Sequence, residues 1–138
     1  MLKVNGGIIM IAFAPSMTHI DPSIASVEHV VDHIMYVGSR IGYQHIGIGT
    51  DFDGMEKSVQ GLEDVSRYPA LVEALLNRGV PRSDIEDIVG LNIIRVLEEV
   101  ERAAMKISAS AVPLEDEVKQ LWNDDIRNYV RSVYPNCG

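Results

Sequence analysis

The chain has 138 residues, of which 46% are hydrophobic and 23% are charged, and this balance is typical of a globular domain. Twelve Lys and Arg residues against twenty Asp and Glu residues give a formal net charge of −8, so we expect no nucleic-acid partner. The single cysteine, Cys137, can form neither an intrachain disulfide nor a cysteine-based metal site. The longest apolar run, residues 6–14, is about half of the ~20 residues that a membrane span needs.

The first half of the chain predicts a β-α-β unit. Residues 8–13 form a continuous apolar run bounded by glycine and proline, which is typical of a strand buried on both faces. Apolar residues then recur at helical spacing over residues 27–41, and the short run 45–50, opened by His45, predicts a second strand. Because one helix joins the strands, we expect them to be parallel in an α/β fold.

The second half predicts helices. Pro69 favours a helix start, and Gly79 favours its end. Residues Ser83 and Glu86 have the spacing of a capping box, which predicts a short helix that begins there. A longer helix is predicted after Gly90, with these apolar side chains directed inward: Ile93, Ile94, Val96, Leu97 and Val100. Residues 1–105 are interpreted as the main domain and residues 106–138, broken at Pro113, as a C-terminal tail.

Two parallel strands and one crossover helix leave an apolar strand face uncovered and the backbone groups at the sheet edges unpaired. Unpaired N–H and C=O groups at such edges are costly, so the sheet is expected to continue elsewhere. Either another chain supplies the missing strands, or the sequence is the C-terminal portion of a longer protein. The first possibility keeps open a non-catalytic association module and a homo-oligomer.

The segment 47–54, Gly-Ile-Gly-Thr-Asp-Phe-Asp-Gly, is the main candidate for chemistry. Ligands gather at the carboxyl ends of parallel strands, and Asp51 falls where the second strand is predicted to end. A carboxylate there can exchange a proton with a water molecule or a leaving amine, and Gly54 can supply a positive φ for a tight loop. The structural alternative is an ordinary turn, with Asp51 as its cap and Asp53 solvated.

Two other interpretations of this segment are weighed. A calcium-binding EF-hand loop is excluded because a third ligand before the glycine and a glutamate at the twelfth position are missing. The segment also resembles the D-x-D-G-T motif of haloacid-dehalogenase-type phosphatases, in which Asp51 would be the nucleophile. Met55 replaces the threonine of that motif, and Asp124 with Asp125 is the acidic pair available later in the chain. This phosphatase is retained as an alternative.

The histidines offer a weaker hypothesis. His29 and His33 are spaced as in zinc peptidases with an H-x-x-E-H pattern, but both fall away from the apolar stripe and are expected to face water. His19 and Asp21 resemble the H-x-D pair of metal-dependent hydrolases, although Pro22 favours an ordinary loop that enters a helix. No metal ligands are therefore assigned.

Five motifs, in order from about residue 6 to residue 101, resemble the C-terminal part of the membrane (renal-type) dipeptidases, zinc metallopeptidase family M19. The segment 6–13 is similar to the family's G-G-V-V-M-V-N-F strand, and residues 27–34 to its V-A-D-H-I-D-H-I helix. Residues 46–54 are similar to V-G-I-G-S-D-F-D-G, residues 61–69 to G-L-E-D-V-S-K-Y-P, and residues 90–96 to G-G-N-F-L-R-V. Ala12 departs from the family's usual asparagine.

The resemblance implies the last two β/α units of an amidohydrolase-like (β/α)8 TIM-type barrel that cleaves dipeptides with two zinc ions. In the family, a metal-bridging hydroxide attacks the peptide carbonyl, and an Asp that matches Asp51 handles the proton. The family's metal-binding motifs precede the region that this chain matches, so the zinc ligands are expected to be absent. We expect the chain by itself to bind no zinc and to be inactive.

Overall fold

The computed structural model describes residues 2–112, 115 and 121–134 of the chain. Packing divides the chain into two compact units, residues 1–106 and 107–138. The strands are β1 (Ile9–Ile11) and β2 (Ile46–Ile48). The helices are α1 (Leu2–Asn5), α2 (Pro15–Thr18), α3 (Val27–Ile41), α4 (Tyr68–Asn77), α5 (Arg82–Glu86), α6 (Asn92–Ser108) and α7 (Asp124–Val133). Within the described residues, no helix combines the length and apolar character that crossing a membrane demands.

The interpretation of residues 1–105 as barrel units and of residues 106–138 as a C-terminal tail remains a prediction. Pro113 and Cys137, on which part of the tail argument depends, lie outside the described residues.

The β-α-β unit is confirmed: β1 and β2 pair in parallel, with Met10 opposite Gly47. Beyond the strands, the N–H of Phe13 still donates to the carbonyl of Thr50 at 3.1 Å. Gly47 in β2 and Gly49 directly after it lie close to Met10 on the neighbouring strand. A Cβ added to Gly47 would lie 2.6 Å from the sulfur of Met10, and one added to Gly49 would lie 2.7 Å from the Cβ of Met10.

Helix α3 covers one face of this sheet and has the predicted bounds. Ser26 is its N-cap, and Gly42, with φ of 98°, ends it. Its apolar stripe packs into one core with the inward side chains of both strands and of α4. The fully buried members of that core include Phe13, Val30, Val31, Ile34, Ile46, Leu71 and Leu75.

The prediction that β1 is buried on both faces is wrong for this chain. Ile11 and Phe13 are buried against the helices, whereas Ile9 and Met10 are 40% and 43% exposed. Helices in the described part of the chain cover one face of the sheet only. A strand sequence suited to burial on both sides therefore presents one apolar face to solvent.

The inward orientation predicted for five apolar residues of α6 is wrong for three of them, whereas Ile93 and Val96 are half-buried. Ile94, Leu97 and Val100 are each at least half exposed, and Asn92 is the helix residue classed as buried. A π-helical turn, Asp87–Leu91, precedes α6. The face that does reach the sheet is polar, because Asn92 and Arg95 bond to backbone carbonyls there.

Three side chains bind carbonyls near the amino ends of the two strands. The Nδ2 of Asn92 donates to the carbonyls of Tyr43 and Ile46, both at 2.9 Å. Arg95 donates to the carbonyls of Gly6 and Gln44 at 2.8 and 2.9 Å.

The third is His45, which ends the 3-10 turn Tyr43–His45 just before β2 instead of opening the strand. The Nδ1 of its buried ring lies 2.8 Å from the carbonyl oxygen of Gly7. Because a carbonyl oxygen can only accept a hydrogen bond, Nδ1 carries the proton.

The predicted capping box at Ser83 is wrong. Helix α5 begins at Arg82 with Pro81 as its N-cap, and Ser83 lies inside the helix without a capping hydrogen bond. Proline fixes φ near the helical value and lacks an N–H of its own, so it starts the helix one residue before the serine. The carbonyl of Pro81 accepts the first helical bond, from the N–H of Ile85 at 3.0 Å.

We predict that Asn92→Leu lowers the free energy of unfolding by about 1–3 kcal/mol, because two carbonyls at the start of β2 lose their donor. Urea unfolding followed by circular dichroism measures this loss. Asn77→Leu, at an exposed position that ends α4, is the matched control. Equal midpoints for the two variants would show that the buried amide is dispensable.

Candidate active site

Asp51 lies at the carboxyl end of β2, as the sequence predicts, and it is exposed to solvent. The strand ends at Ile48, and Thr50 still bonds to β1 through Phe13. The other candidate of this loop, Asp53, is exposed within the 3-10 turn Phe52–Gly54.

The backbone of Asp51 is left-handed, with φ of 64° and ψ of 30°. It is the one non-glycine residue with positive φ in the described part of the chain. Gly54, which could have supplied a positive φ to this loop, does not adopt one. Such a conformation costs a non-glycine residue roughly 1–2 kcal/mol, and Asp and Asn tolerate it best among the non-glycine residues. Strain of this kind concentrates at functional sites.

Gly54 serves a different purpose, which is to leave room for the carboxylate. Its N–H donates to the carbonyl of Asp51 at 3.0 Å and so closes the turn. A Cβ at position 54 would collide with the Oδ1 of Asp51. The loop therefore holds the Asp51 side chain against a position that only glycine can occupy without displacing it.

Phe52 anchors the loop from the opposite side. Its ring makes an edge-to-face contact with the fully buried Phe13, with centroids 5.9 Å apart. Phe13 in turn contacts the ring of Tyr68, the first residue of α4. These aromatic contacts anchor the loop that carries the exposed Asp51 to the core.

The histidine motifs serve local structure. The Nδ1 of His29 accepts the N–H of Ser26 at 3.2 Å, so this histidine is half-buried at the start of α3 and the prediction that it faces water is wrong. His33 is exposed as expected. The ring of His19 lies beside that of His29, with centroids 4.5 Å apart, and its Nδ1 accepts the N–H of Asp21.

The acidic partners in these motifs are also engaged. Asp21 caps the 3-10 turn Pro22–Ile24, as the loop interpretation predicts, and hydrogen bonds from the hydroxyl and N–H of Ser23 lower the pKa of its carboxyl. Asp32 bonds to Arg78 at 2.6 Å, which raises the pKa of that guanidinium.

The described residues do not fit a zinc ion. A zinc site needs at least three protein ligands, and the described part of the chain has no group of three His, Cys, Asp or Glu side chains arranged to hold a metal. The Nδ1 atoms of His19 and His29 already accept hydrogen bonds from the backbone N–H groups of Asp21 and Ser26. What the site offers is a single oriented carboxylate.

Sequence reasoning missed two features near this carboxylate. One is a cavity bordered by the loops that follow β1 and β2, whose lining residues are far apart in sequence. The other is the steric dependence of Asp51 on Gly54. Neither leaves a periodic signal, because each depends on how two loops meet in space.

The comparisons with known proteins agree on one family. The model of the membrane dipeptidase family (peptidase family M19) matches residues 1–111. The chain is 55% identical to dipeptidase tcpJ of Claviceps purpurea over 136 residues, which are 99% of this chain and 32% of that protein. It is 43% identical to dipeptidase verJ of Clonostachys rogersoniana over 96% of this chain and 34% of that protein.

A third relative, dipeptidase aclJ of Aspergillus oryzae, is 51% identical over 88% of this chain and 29% of its own length. The chain thus spans about a third of the length of these curated relatives. These matches give no support to the phosphatase alternative. With its two parallel strands, its crossover helix and a family match over most of its length, the chain belongs to the membrane dipeptidase family, peptidase family M19.

Proposed function

We propose that this chain forms the last two β/α units of the (β/α)8 barrel of a zinc-dependent dipeptidase, and that Asp51 is its catalytic proton carrier. The observation that carries the proposal is the placement of Asp51, exposed and strained, at the carboxyl end of a parallel strand. That edge is where barrel enzymes place their reacting groups. Family membership makes dipeptides the substrate class to test.

The barrel part of the proposal is supported by what the small sheet leaves open. The β1-α3-β2 connection is the repeating unit of a barrel, and a barrel strand is paired on both edges. The face that carries Met10 is apolar and partly exposed, as is the face of α6 that carries Ile94 and Leu97. Neighbouring barrel strands and helices would cover both surfaces.

The chemistry assigned to Asp51 is proton transfer. Hydrolysis of a peptide forms a carbon–oxygen bond to water and breaks the carbon–nitrogen bond, so a proton must leave the water and another must reach the amino group. One carboxylate can perform both transfers in sequence and ends unchanged. The loop leaves Asp51 exposed, which suits a group that must meet water and substrate.

The two zinc ions of such an enzyme would polarise the peptide carbonyl and supply a reactive water. Because the described residues do not form a zinc site, the ligands would have to come from residues outside the described part of this chain. The chain's own contribution is the oriented carboxylate and the wall of the site beside it.

We predict that the 138-residue chain alone neither binds zinc tightly nor hydrolyses Ala-Ala or Gly-Asp. Isothermal titration calorimetry with zinc and a ninhydrin assay for released amino acids measure the two properties. Stoichiometric binding with a submicromolar dissociation constant, or turnover above the buffer rate, would contradict this prediction.

We further predict that a chimera recovers dipeptidase activity when this chain replaces the matching 136-residue segment of the Claviceps purpurea dipeptidase. In that chimera, Asp51→Asn is expected to lower kcat by about 10²–10⁴-fold, the usual contribution of a general acid–base group. Asn keeps the side-chain shape and accepts the left-handed backbone. Asp53→Asn, two residues away in the same turn, is the matched control, and an equal loss from both variants would refute the role of Asp51.

A third prediction separates the backbone of Asp51 from its carboxylate. In the chain itself, Asp51→Gly is expected to be more stable than Asp51→Ala by about 1 kcal/mol, because only alanine pays the steric cost of the left-handed conformation. Urea unfolding of the two variants gives the difference. Alanine equal to or more stable than glycine would show that position 51 is not held in this conformation.

A further inference from the structure

A cavity of about 460 Å³ lies between the loop that follows β1 and the loop that follows β2. Its less exposed lining residues are Ala14, Pro15 and Met55, and its exposed border includes Ser16, Glu56 and Lys57. The volume falls within the roughly 300–1,000 Å³ typical of small-molecule sites. A larger groove, about 560 Å³, lies along α4 and includes no residue of these two loops.

The loops that border the smaller cavity follow the carboxyl ends of β1 and β2, and Asp51 lies in the second of these loops without lining the cavity. Ala14 directly follows Phe13, whose N–H bonds to the carbonyl of Thr50, the residue before Asp51. On the other side, Met55 follows the turn Phe52–Gly54 that Asp51 begins. Both walls of the cavity are therefore anchored within a few residues of the candidate proton carrier.

The lining chemistry favours a neutral, apolar occupant. The protected part of the cavity is aliphatic or thioether in character and offers no charged group. At the border, the carboxylate of Glu56 and the ammonium of Lys57 contribute opposite charges, so the entrance has no net preference for a charged group. Neither side chain makes an ion pair within the described part of the chain.

We propose that this cavity receives a bulky, neutral apolar side chain of the dipeptide whose bond is cleaved beside Asp51, and that Ser16 is a specificity-determining residue. The inference rests on the proposed function. Ser16 is exposed at the border and belongs to the short helix α2, so a larger side chain there would occupy the cavity without entering the core.

The test uses the chimera that contains the full chain, with Ala-Ala, Ala-Phe and Phe-Ala as substrates. The unsubstituted chimera is expected to have a higher kcat/KM for at least one phenylalanine dipeptide than for Ala-Ala. Ser16→Phe is expected to reduce kcat/KM for that dipeptide by about tenfold or more, mainly through KM, and to change Ala-Ala by less than twofold. Met17→Phe is the matched control, since Met17 is in the same helix, is 72% exposed and does not line the cavity.

Lys57→Trp fills the cavity from the other loop and is expected to have the same selective effect. Thermal midpoints of all variants show whether each one folds. Equal losses for both substrate classes, or no loss for either, in folded Ser16→Phe and Lys57→Trp would overturn the cavity assignment and leave the proposed function standing. A folded chimera that is inactive toward every dipeptide would overturn the proposed function, and this inference with it.

Discussion

The arrangement of the candidate site depends on how backbone carbonyls are satisfied at the opposite, amino edge of the sheet. Two short strands cannot pair all of their own carbonyl groups, and an unpaired buried carbonyl is costly. Asn92, Arg95 and His45 supply the missing donors from side chains. The bonds from Asn92 and Arg95 hold the starts of both strands to α6, and the bond from His45 joins the start of β2 to the segment before β1.

The two ends of β2 therefore have different roles. The amino end stabilises the fold, and the carboxyl end carries the candidate catalytic residue. At the amino end, a buried amide and a guanidinium satisfy the backbone. At the carboxyl end, the chain accepts a left-handed Asp51 and two glycines in close contact with Met10, features that weaken a strand in the absence of another benefit. The edge-to-face contact of Phe52 with the buried Phe13 anchors this loop to the core while Asp51 stays exposed.

The sequence predicted those parts of the fold that leave a periodic or terminal signal. The apolar stripe of α3, its end at Gly42, the parallel strands and the position of Asp51 were all accessible in this way. The errors share one physical cause. The spacing of residues along the chain does not show which group a side chain contacts in the folded structure. Ser83 has the spacing of a cap but Pro81 starts the helix, and His29 has the spacing of a ligand but bonds to Ser26.

The burial errors lead to a more general point about α6. Its apolar stripe and the Met10 face of β1 were expected to be covered, but Ile94, Leu97, Val100 and Met10 are exposed although the rest of the first unit has a well-packed core. Exposed apolar side chains at Ile94, Leu97 and Val100 add no stability to the fold that the described residues form by themselves. Their helical spacing is instead the pattern of a surface that packs against further structure.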